Sequence, residues 1–249
     1  MAYVKIGRVS NPYAASALPP PAAAERPTRV RYLVVGLCVG MALILYIDRF
    51  AIMPISTTVL RELELDEEQF GRAVGAFFLI YAACQVPAGW LSDRFGARWT
   101  LAAYVVCWSL ATVGLGLASG LFTITAMRMV LGAGQAGAYP TAASLLKRWV
   151  PAAGRARANT IVAMGGRAGN LLAQFLTPLL AVAVLSLLGW QTGGWRVVLA
   201  GYGILGLIWS VLFVWLYRDD AQQHPWCNAA ERELIGHVPE TKKAAGGGL

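Results

Sequence analysis

Asp48, Arg49, Arg128 and Arg167 all sit inside long apolar stretches of this 249-residue chain. A charge in the middle of a bilayer costs several kcal/mol, so each needs a partner or a water-filled cavity. Asp48 and Arg49 are adjacent, and neighbours on a helix point about 100° apart. They cannot pair face to face, so at least one must reach another helix or a cavity; the competing reading is a structural pair near a membrane interface. Arg128, Gly132, Gln135 and Tyr139 follow at offsets of four, seven and eleven, which place them on one helical face. Pro140 comes next and loosens the helix there. A guanidinium is always charged and fits a carboxylate bidentately, which makes Arg128 the first candidate for an anion. Arg167, Asn170 and Gln174 share a second face, with Gly165, Gly166 and Gly169 around them for close packing. Either Arg167 joins an anion site, or it lies near a helix end or pairs with Asp48. Gln135, Asn170 and Gln174 supply hydrogen bonds for hydroxyls.

The elements that must position these residues are membrane helices. Hydrophobic residues make up 57% of the chain and charged residues 14%, against about 25% charged in soluble domains. About 20 apolar residues cross the hydrocarbon core as a helix. Hydropathy predicts six spans: Arg31 to Met53, Gln69 to Leu91, Trp99 to Ala118, Leu121 to Trp149, Arg157 to Leu188 and Trp195 to Tyr217. The fifth is long enough to tilt or project. Asp66 with Gln69 reads as a helix-start box for the second span. The net charge of +8 sits in short loops and the N-terminal region, as membrane orientation requires, and no nucleic-acid motif occurs. Lys and Arg fall before span one, between spans two and three, between four and five, and after six. The 61–68 segment between spans one and two is mostly acidic. This predicts both termini on the cytoplasmic side. Residues 1–28, rich in Ala and Pro, read as a disordered tail, and 219–249 as a polar loop or tail. His224, Cys227 and His237 fit no standard metal spacing and read as part of that solvated segment. Cys38, Cys84 and Cys107 lie in apolar spans, so no disulfide framework is indicated.

Between spans two and three lies Gly89-Trp90-Leu91-Ser92-Asp93-Arg94-Phe95-Gly96-Ala97-Arg98. It reads as a short charged loop in which Gly89 allows close approach, Asp93 caps the next helix, Gly96 turns the chain, and Arg94 and Arg98 hold it at the cytoplasmic face. The spacing G-x-x-x-D-R-x-G-x-R resembles the signature loop between helices two and three of the major facilitator superfamily. Tyr46-Ile47-Asp48-Arg49 resembles the span-one motif of its anion:cation symporter branch, and Arg128-x-x-x-Gly132 its span-four motif. The resemblance runs from about Arg29 onward, over about half the length of a usual member.

The resemblance implies an all-α membrane protein: six transmembrane helices forming the N-terminal half of a major facilitator bundle, as two inverted three-helix repeats. It implies a secondary transporter taking up a small organic anion, such as a hexuronate, aldonate or aromatic carboxylate, by alternating access in a bacterial inner membrane. Asp48 would couple to protons. Arg49, Arg128 and Arg167 would attract the carboxylate, with Tyr81, Gln85, Gln135, Asn170 and Gln174 lining the cavity. Gly89, Asp93, Arg94, Gly96 and Arg98 would gate. One departure stands out: the branch often has a Glu at the position of Gln135, and an amide cannot titrate. Either Asp48 carries the proton alone, another ion is used, or transport is uncoupled. The lipid bilayer and a C-terminal six-helix half, in the same chain or a partner, are the implied neighbours; no cofactor or metal is implied. Two other classes compete. A membrane hydrolase needs an intramembrane nucleophile with a base, and neither His224 nor His237 lies in a span. A non-transporting six-helix protein, or a half needing a partner half, also fits the length.

Overall fold

The computed structural model describes residues 25–236; the tail read over 1–24, and His237, lie outside the described residues. All regular structure among them is helical. α1 spans Val30–Phe50, α2 Ser56–Glu62, α3 Glu67–Phe95, α4 Ala97–Gly116, α5 Leu121–Ala136, α6 Ala138–Trp149, α7 Ala152–Leu188, α8 Gly194–Leu216 and α9 Ala229–Ile235. Five of these helices are long and apolar enough to cross a membrane: α1, α3, α4, α7 and α8. The sixth crossing is α5 and α6 together. Pro140 has no N–H to give the Ala136 carbonyl and its ring crowds that oxygen, so the helix is interrupted at Gly137. α7, at 1.5 Å per residue, is about 55 Å long and overshoots the ~30 Å hydrocarbon core.

Local chemistry sets several boundaries. Asp66 and Gln69 form the expected box at the start of α3: the Gln69 N–H donates to Asp66 (2.7 Å) and the Asp66 N–H to Gln69 (3.2 Å). α2, which hydropathy does not indicate, follows Pro54. That proline cannot donate to the Phe50 carbonyl, so α1 stops and the chain restarts as a short turn.

The junction between α3 and α4 differs from the expected loop. α3 runs on through Asp93 and Arg94 to Phe95, and α4 begins at Ala97. Gly96 alone makes the turn, at φ +85°, where glycine avoids the Cβ penalty. Asp93 is exposed inside α3 and caps nothing. The α4 start is held instead by Asp219, which accepts from the Arg98 N–H (3.3 Å). The Arg98 guanidinium donates to the Val214 carbonyl at the end of α8.

The helix contacts obey an exchange of the first three crossings with the last three. α1 packs on α7, and its mate α5 packs on α3; α4 packs on α8, its own mate; α1 on α8 mirrors α4 on α5, and α3 on α4 mirrors α7 on α8. This is the pattern of two inverted three-helix repeats. Small residues permit the mated crossings. A Cβ on Gly132 of α5 would lie 2.5 Å from the Phe77 carbonyl of α3, and one on Gly165 of α7 would lie 3.1 Å from the Val39 carbonyl of α1.

The segment after α8 is not the solvated tail its composition predicts. It folds back over the end of the bundle where α1 starts and α8 finishes. His224 and Cys227 are buried. The His224 ring stands edge-on to Trp149 (5.4 Å) and Trp226 (5.5 Å) and contacts the Leu216 carbonyl (3.1 Å). Glu231 is fully buried and binds Arg31 at 2.5 Å, while Asn228 caps α9 and accepts from the Thr28 N–H. The Trp149 indole N–H donates to the Arg218 carbonyl. Composition misleads here because key partners are distant in sequence: Arg31 is 200 positions from Glu231 and Trp149 is 75 from His224. At the opposite end, Glu62 of α2 accepts from the Gly193 N–H and the Trp195 indole, both 2.9 Å, and so ties the α7–α8 turn.

Candidate functional site

The last turn of α1 points its two charges in different directions, as their adjacency requires. Arg49 turns toward α5 and α3: its Nε donates to Gln135 (2.9 Å), and the Gln135 amide donates back to the Leu45 carbonyl (3.0 Å). Asp48 turns toward α4, beside Trp108 and Thr112, with Tyr202 of α8 nearby. Its carboxyl is buried, with the Trp108 indole and the Thr112 hydroxyl as polar neighbours. The Asp48–Arg167 pair does not form: no ion pair among the described residues involves either.

Arg128 is brought to the same place by the end of α1. The Met53 N–H, which would continue the helix by bonding to Arg49, bonds instead to Phe50. The Arg49 carbonyl is therefore open, and Arg128 Nη1 donates to it at 2.9 Å. A cation at a helix C-terminus also sits well with the dipole. Arg128 and Gln135 are fully buried and Arg49 nearly so.

Aromatic rings complete the surroundings. Arg49 lies over Tyr46 (5.1 Å), Phe77 (5.0 Å) and Tyr81 (4.7 Å), and Arg128 over the same Phe77 ring (4.8 Å). Phe77 stacks on Tyr81, and Tyr46 meets Tyr139 edge-on. Cation–π contact of this kind partly replaces lost hydration. Yet Arg49 Nη2 and Arg128 Nε and Nη2 are buried donors without acceptors. Two guanidiniums with open donors, in a box that offers no carboxylate, can accept an anion.

Arg49, Tyr81, Arg128 and Gln135 thus come together. Gln85, one turn beyond Tyr81, is exposed. Arg167 is also exposed, because the buried stripe of α7 runs through Gly165, Gly166, Gly169 and Ala173, and Arg167 stands one step off it. Its neighbour Gly166 abuts Tyr46 and Tyr139. Asn170 and Gln174 are half-buried on that flank, and the Asn170 carbonyl oxygen has no partner. Sequence reasoning missed Phe77 as a shared platform. The signal was its four-residue offset from Tyr81, which puts both rings on one face of α3. No group of residues among those described could hold a metal ion.

The sequence profile of the Major Facilitator Superfamily matches residues 38–245. The chain belongs to this superfamily. Its six crossings form an N-terminal half of the superfamily bundle. Among curated relatives, it is 31% identical over 209 residues to a probable sulfoacetate transporter of Cupriavidus necator, covering 84% of this chain and 46% of that protein. It is 33% identical over 198 residues to a D-galactonate transporter of Escherichia coli, covering 80% and 44%. A probable galactarate/D-glucarate transporter of Escherichia coli is 30% identical, covering 90% and 47%. The chain therefore spans about half the length of the curated relatives it matches. Among solved structures, a bacterial homologue of the human lysosomal transporter Spinster, inward-facing and unoccupied, superposes with a TM-score of 0.70 at 26% identity, over 78% of this chain and 44% of that one. The superfamily is one of transporters, and this member is an integral membrane protein rather than an enzyme.

Proposed function

We propose that this chain forms one half of a secondary transporter for small organic anions, working by alternating access. The observation that carries the reading is the pair Arg49 and Arg128: buried, adjacent, unpaired by any carboxylate, and with open donors. The relatives, named as transporters of sulfoacetate, galactonate and glucarate, support the same substrate chemistry. Tyr81 and Gln135 read hydroxyls beside the acid. Arg167, Asn170, Gln174 and Gln85 lie on surfaces that a second six-helix half, in the same chain or a partner, would cover. α3 and α7, the spans least buried here, are where that half is expected to pack.

Proton symport is assigned to Asp48. It is a buried carboxyl held apart from both guanidiniums, and Gln135 offers no titratable group. Gly89, Asp93, Arg94, Gly96 and Arg98 stand at the end where the halves would close, and are assigned to gating. Arg31, Arg98, Arg148, Arg155, Arg157 and Arg218 gather at the end where the described residues begin and finish, while at the other end Arg61, Arg72 and Arg196 are outnumbered by Glu62, Glu64, Asp66, Glu67 and Glu68. The excess of Lys and Arg supports both termini facing the cytoplasm of a bacterial inner membrane. The test is organic-anion uptake by the Arg128→Gln variant. Loss of uptake with normal membrane abundance is expected; wild-type uptake would refute the site.

A further inference from the structure

The charge of the site has a definite size. The groups facing its centre are the two guanidiniums, the Gln135 amide, and the rings of Tyr46, Phe77, Tyr81 and Tyr139. The neighbouring carboxyl, Asp48, faces α4 instead. Both guanidinium carbons lie within 5.0 Å of one Phe77 ring centre, so they are no more than about 10 Å apart, within the span of one small molecule.

Resting on the organic-anion reading, we infer that the substrate is a dianion: a small organic molecule bearing two acidic groups, carboxylate with carboxylate or carboxylate with sulfonate. A monoanion satisfies the open donors of one arginine and leaves the other as an uncompensated buried charge. A dianion offers acceptors to Arg49 Nη2 and to Arg128 Nε and Nη2 together. The shared Phe77 ring bounds how far apart the two acidic groups can sit, because both cations contact it. The inference concerns charge number, which the names of the relatives leave open, since galactonate has one acidic group and glucarate two.

The experiment compares matched probes. D-galactarate and D-galactonate share a six-carbon hydroxylated chain and differ in whether C6 is a carboxylate or a hydroxymethyl. Sulfoacetate and glycolate repeat the comparison on two carbons, with sulfonate against hydroxyl. Dissociation constants are measured by thermal-shift titration of the purified protein at neutral pH, where all four are fully ionised. The dianion of each pair is expected to bind about 10- to 100-fold more tightly, the range for charge-assisted hydrogen bonds. Arg49→Gln is expected to bring that ratio toward one. Equal affinities in wild type, or tighter binding of the monoanions, would overturn the dianion assignment and leave the organic-anion reading standing. An unchanged ratio in Arg49→Gln would also overturn it. Binding of none of the four would refute both readings.

Discussion

Replacing Gly132 with Ala tests how the site is built. A Cβ there would lie 2.5 Å from the Phe77 carbonyl and 3.2 Å from the Tyr81 N–H, where ordinary contact begins at 3.4 Å. The obstacle is helix backbone, so no side chain can swing away. α3 must retreat from α5 by about 0.9 Å, the shortfall to ordinary contact, and carry Phe77 and Tyr81 out from under Arg49 and Arg128. Overpacking of this kind costs about 1–3 kcal/mol, which lowers the melting temperature by several degrees in a chain of this size. Gly75, on the same helix, has nothing within 4 Å of a built Cβ. Gly75→Ala therefore gains only helix propensity, about 0.5–1 kcal/mol. Thermal unfolding of the two purified variants in one detergent, followed by intrinsic tryptophan fluorescence, makes the comparison. Gly132→Ala is expected to melt below wild type and to bind the anion more weakly, and Gly75→Ala to melt at or above wild type. Equal melting of the two would refute the close α3–α5 crossing and the placement of Phe77 that depends on it.

Other outcomes follow from the terminal segment and the helix starts. Glu231→Gln removes the buried carboxylate that binds the partly exposed Arg31 and is expected to cost about 2 kcal/mol, read as faster hydrogen exchange across 217–236. Burial holds the His224 imidazole below its ordinary value of 6.5, with the nearby Arg218 pushing the same way. The unfolded chain then binds the proton more readily, so the stability contributed by neutral His224 is present above 6.5 and is lost as pH falls through the lower folded value. Proteolysis of the 217–236 segment should accelerate over that acid range in wild type and show a weaker pH dependence in His224→Gln. Asp66→Ala removes the cap of α3 and is expected to cost about 1 kcal/mol, seen as faster exchange at residues 67–70.

Much of the architecture was legible because membrane helices announce themselves locally. Twenty apolar residues, a proline, or Asp66 three residues before Gln69 act within one turn or one span. The α5–α6 break follows from Pro140 alone. The folded terminal segment was not legible: its polar residues look solvated until Glu231 is seen against Arg31 and His224 against Trp149. At the site, the shared face of Arg128 and Gln135 could be read from spacing. Which face meets a neighbour could not. Arg167 falls outside the buried stripe by a single residue, and the opposed directions of Asp48 and Arg49 depend on which helices flank α1. Phe77 carries no charge or hydrogen-bonding group to single it out in an apolar span, and its role shows only when two cations are found on one ring.

The most direct measurement is a structure of the purified protein with D-galactarate bound. One acidic group is expected within hydrogen-bond distance of Arg128 Nε or Nη2 and the other at Arg49 Nη2, both beside the Phe77 ring. A ligand bound elsewhere, with Arg49 and Arg128 still holding only the contacts to Gln135 and the Arg49 carbonyl, would contradict that placement.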